Sequence, residues 1–229
     1  MSDNFDSNIA QPEENKDNAG DTQNKKGKNV KKEVISWIVT LLTAVVAALL
    51  IRTFLFEPVR VDGTSMQDTL IDTELVFVTK PEYLFSTPKR QDVVICRYPT
   101  RGSTYFVKRL IGLPGDTLVF TYGRDEVTGL NTTTITANGE LLDESYLTPD
   151  RNDLLYRFTD LYSRDDIAIS QSEDRTQVTI VLGENQYFVM GDNRDNSNDS
   201  RAQGPIERNA IIGHVQFVFF PFNKIRGIN

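Results

Sequence analysis

The chain has 229 residues, 39% hydrophobic and 25% charged, with 25 Lys and Arg against 32 Asp and Glu for a formal charge of −7. That length closes one domain with at most a smaller insertion, and an acidic balance without a basic run on the globular part argues against a nucleic-acid binder. A single cysteine, Cys96, excludes an intrachain disulfide and a four-cysteine zinc site, and a single histidine, His214, means that any hydrolase here uses it or works without histidine.

Residues 1–24 carry six acids, one lysine and little apolar mass. Such a stretch cannot bury enough surface to offset its ordering entropy, so residues 1–33 read as a disordered tail ending in a basic flank of Lys25, Lys26, Lys28, Lys31 and Lys32. Residues 34–51 then run without a charge, Arg52 interrupts, and Phe54, Leu55 and Phe56 resume the apolar character before Pro58. A buried core helix would show a polar face, and only Ser36, Thr40 and Thr43 are available for one. A cleaved signal peptide has a shorter apolar core and a small-x-small site after it. An uncleaved anchor over residues 34–56 fits best, since about 20 residues span a bilayer core. The lysine flank predicts a cytoplasmic N-terminus, with residues 57–229 outside the plasma membrane.

Short apolar runs bounded by Gly, Pro or polar clusters predict strands over 59–62, 75–79, 92–96, 104–111, 117–122, 132–137, 178–182, 186–190 and 211–220. Asn138-Gly139 predicts a type I′ hairpin turn. Residues 140–176, rich in Asp, Arg and Ser, are expected to be loops of a surface insertion. The expectation is a mainly β domain with antiparallel or mixed sheets, a core of about 57–122 and 177–229, and a smaller insertion over about 123–176.

Three segments stand out by composition. Residues 61–70 (VDGTSMQDTL) present Ser65 on a Gly turn at a strand end; residues 105–116 (YFVKRLIGLPGD) carry Lys108; residues 191–201 (GDNRDNSNDSR) hold no apolar side chain. On a strand, Lys108 shares a face with Phe106 and Leu110. Desolvation there would lower its pKa and leave an amine able to act as a general base, although a strand lysine can instead snorkel to a rim and carry nothing. The third segment suggests a calcium loop, but counting from Asp192 puts Arg194 at position 3 and Ser197 at position 6, so the EF-hand pattern fails. Its arginines point instead to an ion-paired loop braced by Asp199 and Arg201.

Together the segments resemble the sequence boxes of bacterial type I signal peptidases. Ser65-Met-Gln-Asp-Thr-Leu70 is similar to the family's Ser-Met-x-Pro-Thr-Leu, residues 106–116 to its lysine box, and residues 191–201 match its Gly-Asp-Asn-Arg-Asp-Asn-Ser-x-Asp-Ser-Arg at every specified position. The resemblance runs from the anchor to about Pro221. It implies a membrane serine endopeptidase that cleaves signal peptides of exported preproteins after small-x-small sites, with Ser65 as nucleophile and Lys108 as base. It further implies that Ser197 orients the lysine, that Asp199 and Arg201 hold the loop, and that Val59, Val61, Met66 and Leu70 line apolar pockets. The substrate would lie extended beside residues 59–62 and 105–108, with Phe106 and Val107 in contact. No cofactor and no metal are implied; the expected partners are signal peptides and the lipid bilayer through residues 34–56, with the chain a monomer.

Two departures affect the expectation. Asp68 stands where the family has proline, which loosens the turn past the nucleophile and places a carboxylate in the neighbourhood of the proposed base. Gly63 stands where many relatives offer a hydroxyl to the oxyanion. The alternative reading is a catalytically silent, membrane-tethered relative that binds extended apolar peptides. Cys96 is expected to be a small buried hydrophobe and His214 a half-exposed strand residue.

Overall fold

The computed structural model describes residues 23–54, 56–67, 69–80, 82–102, 104–148, 158 and 160–228. Residues 1–22 of the expected disordered tail (1–33), Asp68 and part of the expected insertion (149–157) lie outside the described residues, while residues 23–33 of that tail are not irregular but form the start of the first helix. The chain divides into two units, Met1–Leu49 and Leu50–Asn229.

Helix α1 (Gln23–Phe54) contains a stretch, Val30–Leu49, long and apolar enough to cross a membrane, with none of it buried against protein. Its hydroxyls do not break the apolar surface: Thr40 Oγ1 donates to the Ser36 carbonyl at 2.9 Å and Thr43 Oγ1 to the Val39 carbonyl at 2.8 Å. Satisfying polar groups within the helix is what a hydrocarbon surrounding demands.

The second unit is built of strands β1 (Phe56–Arg60), β2 (Leu75–Thr79), β3 (Val93–Arg97), β4 (Tyr105–Gly112), β5 (Thr117–Arg124), β6 (Asn131–Ala137), β7 (Glu140–Leu141), β8 (Ala168–Gln171), β9 (Gln177–Val181), β10 (Gln186–Met190), β11 (Ile206–Glu207), β12 (Ile211–Phe220) and β13 (Arg226–Gly227). Two short helices, α2 (Glu82–Phe85) and α3 (Ser200–Gln203), sit between them. One sheet has the order β1-β2-β12-β3-β4-β10-β11 with β13 on β12; the other runs β7-β6-β5-β9-β8, and every pairing is antiparallel.

Side-chain alternation explains the layering. In β3, Val93 and Ile95 enter one core with Val61, Met66, Leu70, Val76 and Val78, while Val94 and Cys96 enter a second with Tyr98, Leu110 and Val189. A strand covered on both faces reads as an unbroken apolar run, as Val-Val-Ile-Cys does. The third core joins β5, β6 and β9 to Ile111, Phe188 and Met190 through Leu118, Phe120, Ile135, Val178 and Ile180. Each such side chain contributes roughly 1.5–3 kcal/mol when fully buried. The β6–β7 turn has φ of 53° at Asn138 and 84° at Gly139, the two left-handed residues that a type I′ turn requires.

The second sheet extends beyond the expected insertion at both ends, because β5 and β9 belong to it. Residues 140–176 are also not all loop, since β7 and β8 form there. β8 is an edge strand, mostly exposed, in which only Ile169 packs on the core, so it carries no alternation to read. Cys96 is fully buried. His214 is half-buried on β12, with Nδ1 3.0 Å from Glu82 Oε2 and its ring stacked on Tyr83.

Candidate active site

Ser65 lies in a turn that follows β1 and is anchored by its neighbours. Met66 and Leu70 are buried in the core, and the Leu70 and Gln67 N–H groups donate to Met66 O and Thr64 O at 2.8 and 3.0 Å. The turn is entered through Gly63, whose φ of +96° suits glycine and whose N–H donates to Asp72 Oδ1 at 2.9 Å. Apolar anchors thus set the backbone, and the serine side chain remains partly accessible.

Lys108 comes from the middle of β4, opposite Val94, with Leu110 and the partly buried Phe106 in the same core. It is 1% exposed. Its Nζ lies 2.7 Å from Ser65 Oγ and donates to the Val107 carbonyl at 3.0 Å. Burial lowers its pKa from the ordinary 10.5, and Arg201 helps, while Asp199 and Asp192 oppose. Burial also pushes the Cys96 thiol up to about 12, so at neutral pH it carries no charge that could support the ammonium.

Behind this pair sits the 191–201 loop, held by buried ion pairs. Arg201 Nε and Nη2 reach the two Asp199 oxygens at 2.9 and 2.8 Å, and Nη2 also donates to Arg194 O at 2.9 Å. Asp199 caps α3 by accepting the Arg201 N–H and takes the Gly191 N–H at 3.0 Å. Burial alone would raise the Asp199 pKa, but Arg201 and these hydrogen bonds, with one from Ser197, hold it down to about 2. The loop grips the Ser65 turn directly: Asn193 N–H donates to Ser65 O, Asn193 Nδ2 to Thr64 O and Asn196 Nδ2 to Thr64 Oγ1, each at 3.0 Å. Gly191 packs so closely on Ser65 O and Ser197 that no side chain fits there.

A cleft of about 400 Å³ opens beside Ser65. Val59, Val61, Met66, Phe106 and Val107 line it, together with Ile95. Leu70 does not: it is fully buried and belongs to the core that carries the turn. One wall is the edge of β4. That strand pairs with β3 over Tyr105–Arg109, whereas β10 joins its other side only over Arg109–Gly112, so Tyr105–Lys108 has no strand partner there among the described residues. Also among the described residues, no three His, Cys, Asp or Glu side chains converge as metal ligands would.

Sequence reasoning missed the long-range ties. Arg109, beside Lys108, is 1% exposed and makes a bidentate pair with Asp192 at 3.0 and 2.9 Å, with Tyr146 stacked on its guanidinium at 3.9 Å. An arginine pointing into the face opposite Lys108, between Val107 and Ile111, was the available signal.

Residues 34–220 match the family model described as signal peptidase, peptidase S26. The chain belongs to that family. It is 40% identical over 202 residues to a signal peptidase I of Bacillus licheniformis, covering 88% of this chain and 96% of that protein. Signal peptidase I T of Bacillus subtilis (strain 168) is 38% identical over 203 residues, covering 87% and 93%. A crystal structure of a signal peptidase I from Enterococcus faecalis V583 aligns at 28% identity over 56% of this chain and 97% of that one, with a TM-score of 0.38. As a member of the signal peptidase family, the chain is a membrane-anchored hydrolase that cleaves signal peptides as a serine peptidase, with the apolar part of α1 as anchor.

Proposed function

We propose that Ser65 is the nucleophile and Lys108 the general base, and that cleavage follows small-x-small sites. The observation that carries the reading is the 2.7 Å approach of a buried lysine amine to the serine hydroxyl. Lys108 in its neutral form takes the Ser65 proton as Oγ attacks the scissile carbonyl. The developing oxyanion takes a hydrogen bond from the Ser65 backbone N–H, and Gly63 adds no hydroxyl. Lys108 then returns the proton to the leaving amine, and the acyl-enzyme forms. Water, deprotonated by the same amine, releases the acyl group and restores the serine. Ser197, Asp199 and Arg201 hold and orient the base.

Specificity follows from the walls of the cleft. A substrate strand added along Tyr105–Lys108 turns alternate side chains toward Val59, Val61, Met66, Phe106 and Val107. About 400 Å³ shared along an extended segment admits alanine-sized groups at those positions and leaves the one between them facing out. The lysine-rich first turns of α1, at the N-terminal end of its apolar stretch, keep the N-terminus cytoplasmic and residues 57–229 outside.

Ser65→Ala and Lys108→Ala are each expected to abolish cleavage of a preprotein by the full chain in vesicles, with chelators having no effect. Cleavage surviving in either variant sinks the pair. Protease added outside intact cells should digest residues 57 onward and spare the lysine-rich segment; the opposite protection pattern overturns the orientation.

A further inference from the structure

The segment just after β7, Leu142–Thr148, leaves the second sheet and returns to the back of the site. The Tyr146 ring lies 3.9 Å from the Arg109 guanidinium carbon, and Arg109 adjoins Lys108 on β4. Glu144 Oε1 accepts hydrogen bonds from Arg194 Nη2 and from Tyr146 Oη (3.2 Å for the latter), and Arg194 Nη2 also donates to Tyr146 Oη at 3.2 Å. Arg194 in turn donates through Nε to Gly191 O, next to the contact with Ser65 O. Gln91 Nε2 anchors the base of the segment on Asp143 O at 2.6 Å. One short strap therefore touches both arginines: one beside the proposed base, the other inside the loop that carries the nucleophile turn.

We propose that Tyr146, backed by Glu144, is a positioning residue for the Ser65–Lys108 pair, acting through Arg109 and Arg194. The proposal rests on the reading of that pair as nucleophile and base. Both guanidiniums are 1% exposed, so they have little water to orient them, and their geometry comes from the groups around them. The ring covers one face of Arg109 and keeps its fork on Asp192.

A charge consequence follows. Lys108 is faced by Ser65 from the nucleophile turn, by Cys96 from β3, and by Asp192, Asp199 and Arg201 from the 191–201 loop. Arg201 stays on Asp199 when the strap is lost, whereas Arg109 loosens from Asp192. A less neutralised Asp192 favours the ammonium form of Lys108. Since only the amine is a base, the acid limb of the rate profile then moves to higher pH.

The test uses the full chain in vesicles cleaving a preprotein, with kcat and KM followed across pH. Tyr146→Leu is expected to lower kcat at least tenfold at neutral pH with KM within about twofold, and to move the acid limb upward. Tyr146→Phe, which keeps the ring over Arg109, is expected to leave the limb at its parental position. A folded Y146L with parental kcat and parental limb overturns the proposal, as does a Y146F limb displaced as far as that of Y146L. If Y146L does not fold, Glu144→Gln decides: it removes only the carboxylate charge that faces Arg194, and a kcat unchanged from the parent overturns the strap's role, while a fall of a few fold at constant KM supports it. Lys108→Ala in the same assay separates the two readings. Activity surviving there sinks the base itself, whereas a dead K108A beside a parental Y146L sinks only the strap.

Discussion

Replacing Gly191 by alanine tests how tightly the loop holds Ser65, the proposed nucleophile. The added Cβ would lie 2.2 Å from Ser197 Oγ, 2.6 Å from Ser197 Cβ and 2.4 Å from the Ser65 carbonyl oxygen. Non-bonded carbon contacts settle near 3.5–4.0 Å, so roughly an ångström has to be found. The Ser197 side chain can rotate, but Ser65 O is backbone and already accepts the Asn193 N–H at 3.0 Å. Gly191 is not among the left-handed glycines, so the conflict is one of space and not of backbone conformation. Overpacking of this kind costs about 1–3 kcal/mol. An ångström of displacement at a reacting atom costs on the order of 10²-fold in rate. The expected outcome is a fall of about a hundredfold in kcat with a loss of only several degrees in melting temperature, at roughly 2–4 °C per kcal/mol for a body of this size. Single-turnover cleavage and a thermal melt of the same preparation measure both. A variant that turns over at the parental rate would refute the claim that Gly191 sets the position of Ser65.

Four further outcomes are expected. Cleavage should rise with pH through a limb below the ordinary lysine value of 10.5, because the proposed base is Lys108 in its neutral form; a limb at or above 10.5 contradicts a desolvated lysine. The same lowered pKa means that Lys108→Met should raise stability in melts, most where the buried lysine is charged, below its folded pKa. The gain should fade as pH climbs from there toward 10.5, and a pH-independent difference argues against the shift. Asp199→Asn leaves Arg201 buried without its carboxylate and should cost roughly 3–5 kcal/mol in denaturant unfolding. In the parent, the Asp199 contribution is present above the ordinary 3.8 and lost as pH falls toward about 2; a loss centred on neutral pH would assign it to another group. Leu70→Ala should cost about 2–5 kcal/mol while leaving cleavage-site preference alone; a changed preference would return Leu70 to the cleft wall.

Much of the fold was legible because local pattern and final environment agree. The alternation in β2 leaves Val76 and Val78 buried, the Asn138-Gly139 pair takes the two positive φ values of its turn, and Lys108 is buried on β4 between Phe106 and Leu110, which belong to one core. What the sequence hid depends on distance along the chain. Nothing near Arg109 announces Asp192, and nothing near Tyr146 announces Arg109; those contacts exist only once β10 has docked on β4 and the strap has folded back. Leu70 misled for a related reason: its place in the serine segment suggested a pocket wall, but a turn that presents Ser65 needs its own buried anchor. β8 stayed invisible because an exposed edge strand needs only one apolar residue.

The open side of β4 at Tyr105–Lys108 bears on which chains can be processed at all. An unpaired strand edge has backbone N–H and C=O groups to offer, and a segment can answer only if its own are not already engaged. Helical segments and strands already paired within a folded domain have spent theirs. With the proposed strand addition, the edge would sense the folding state of a polypeptide before any side chain is read. On that reading a folded domain with an alanine-rich loop too short to straighten would be turned away, and a linker held extended between membrane and domain would be admitted. Processing by such an edge becomes a question of timing during export as much as of sequence.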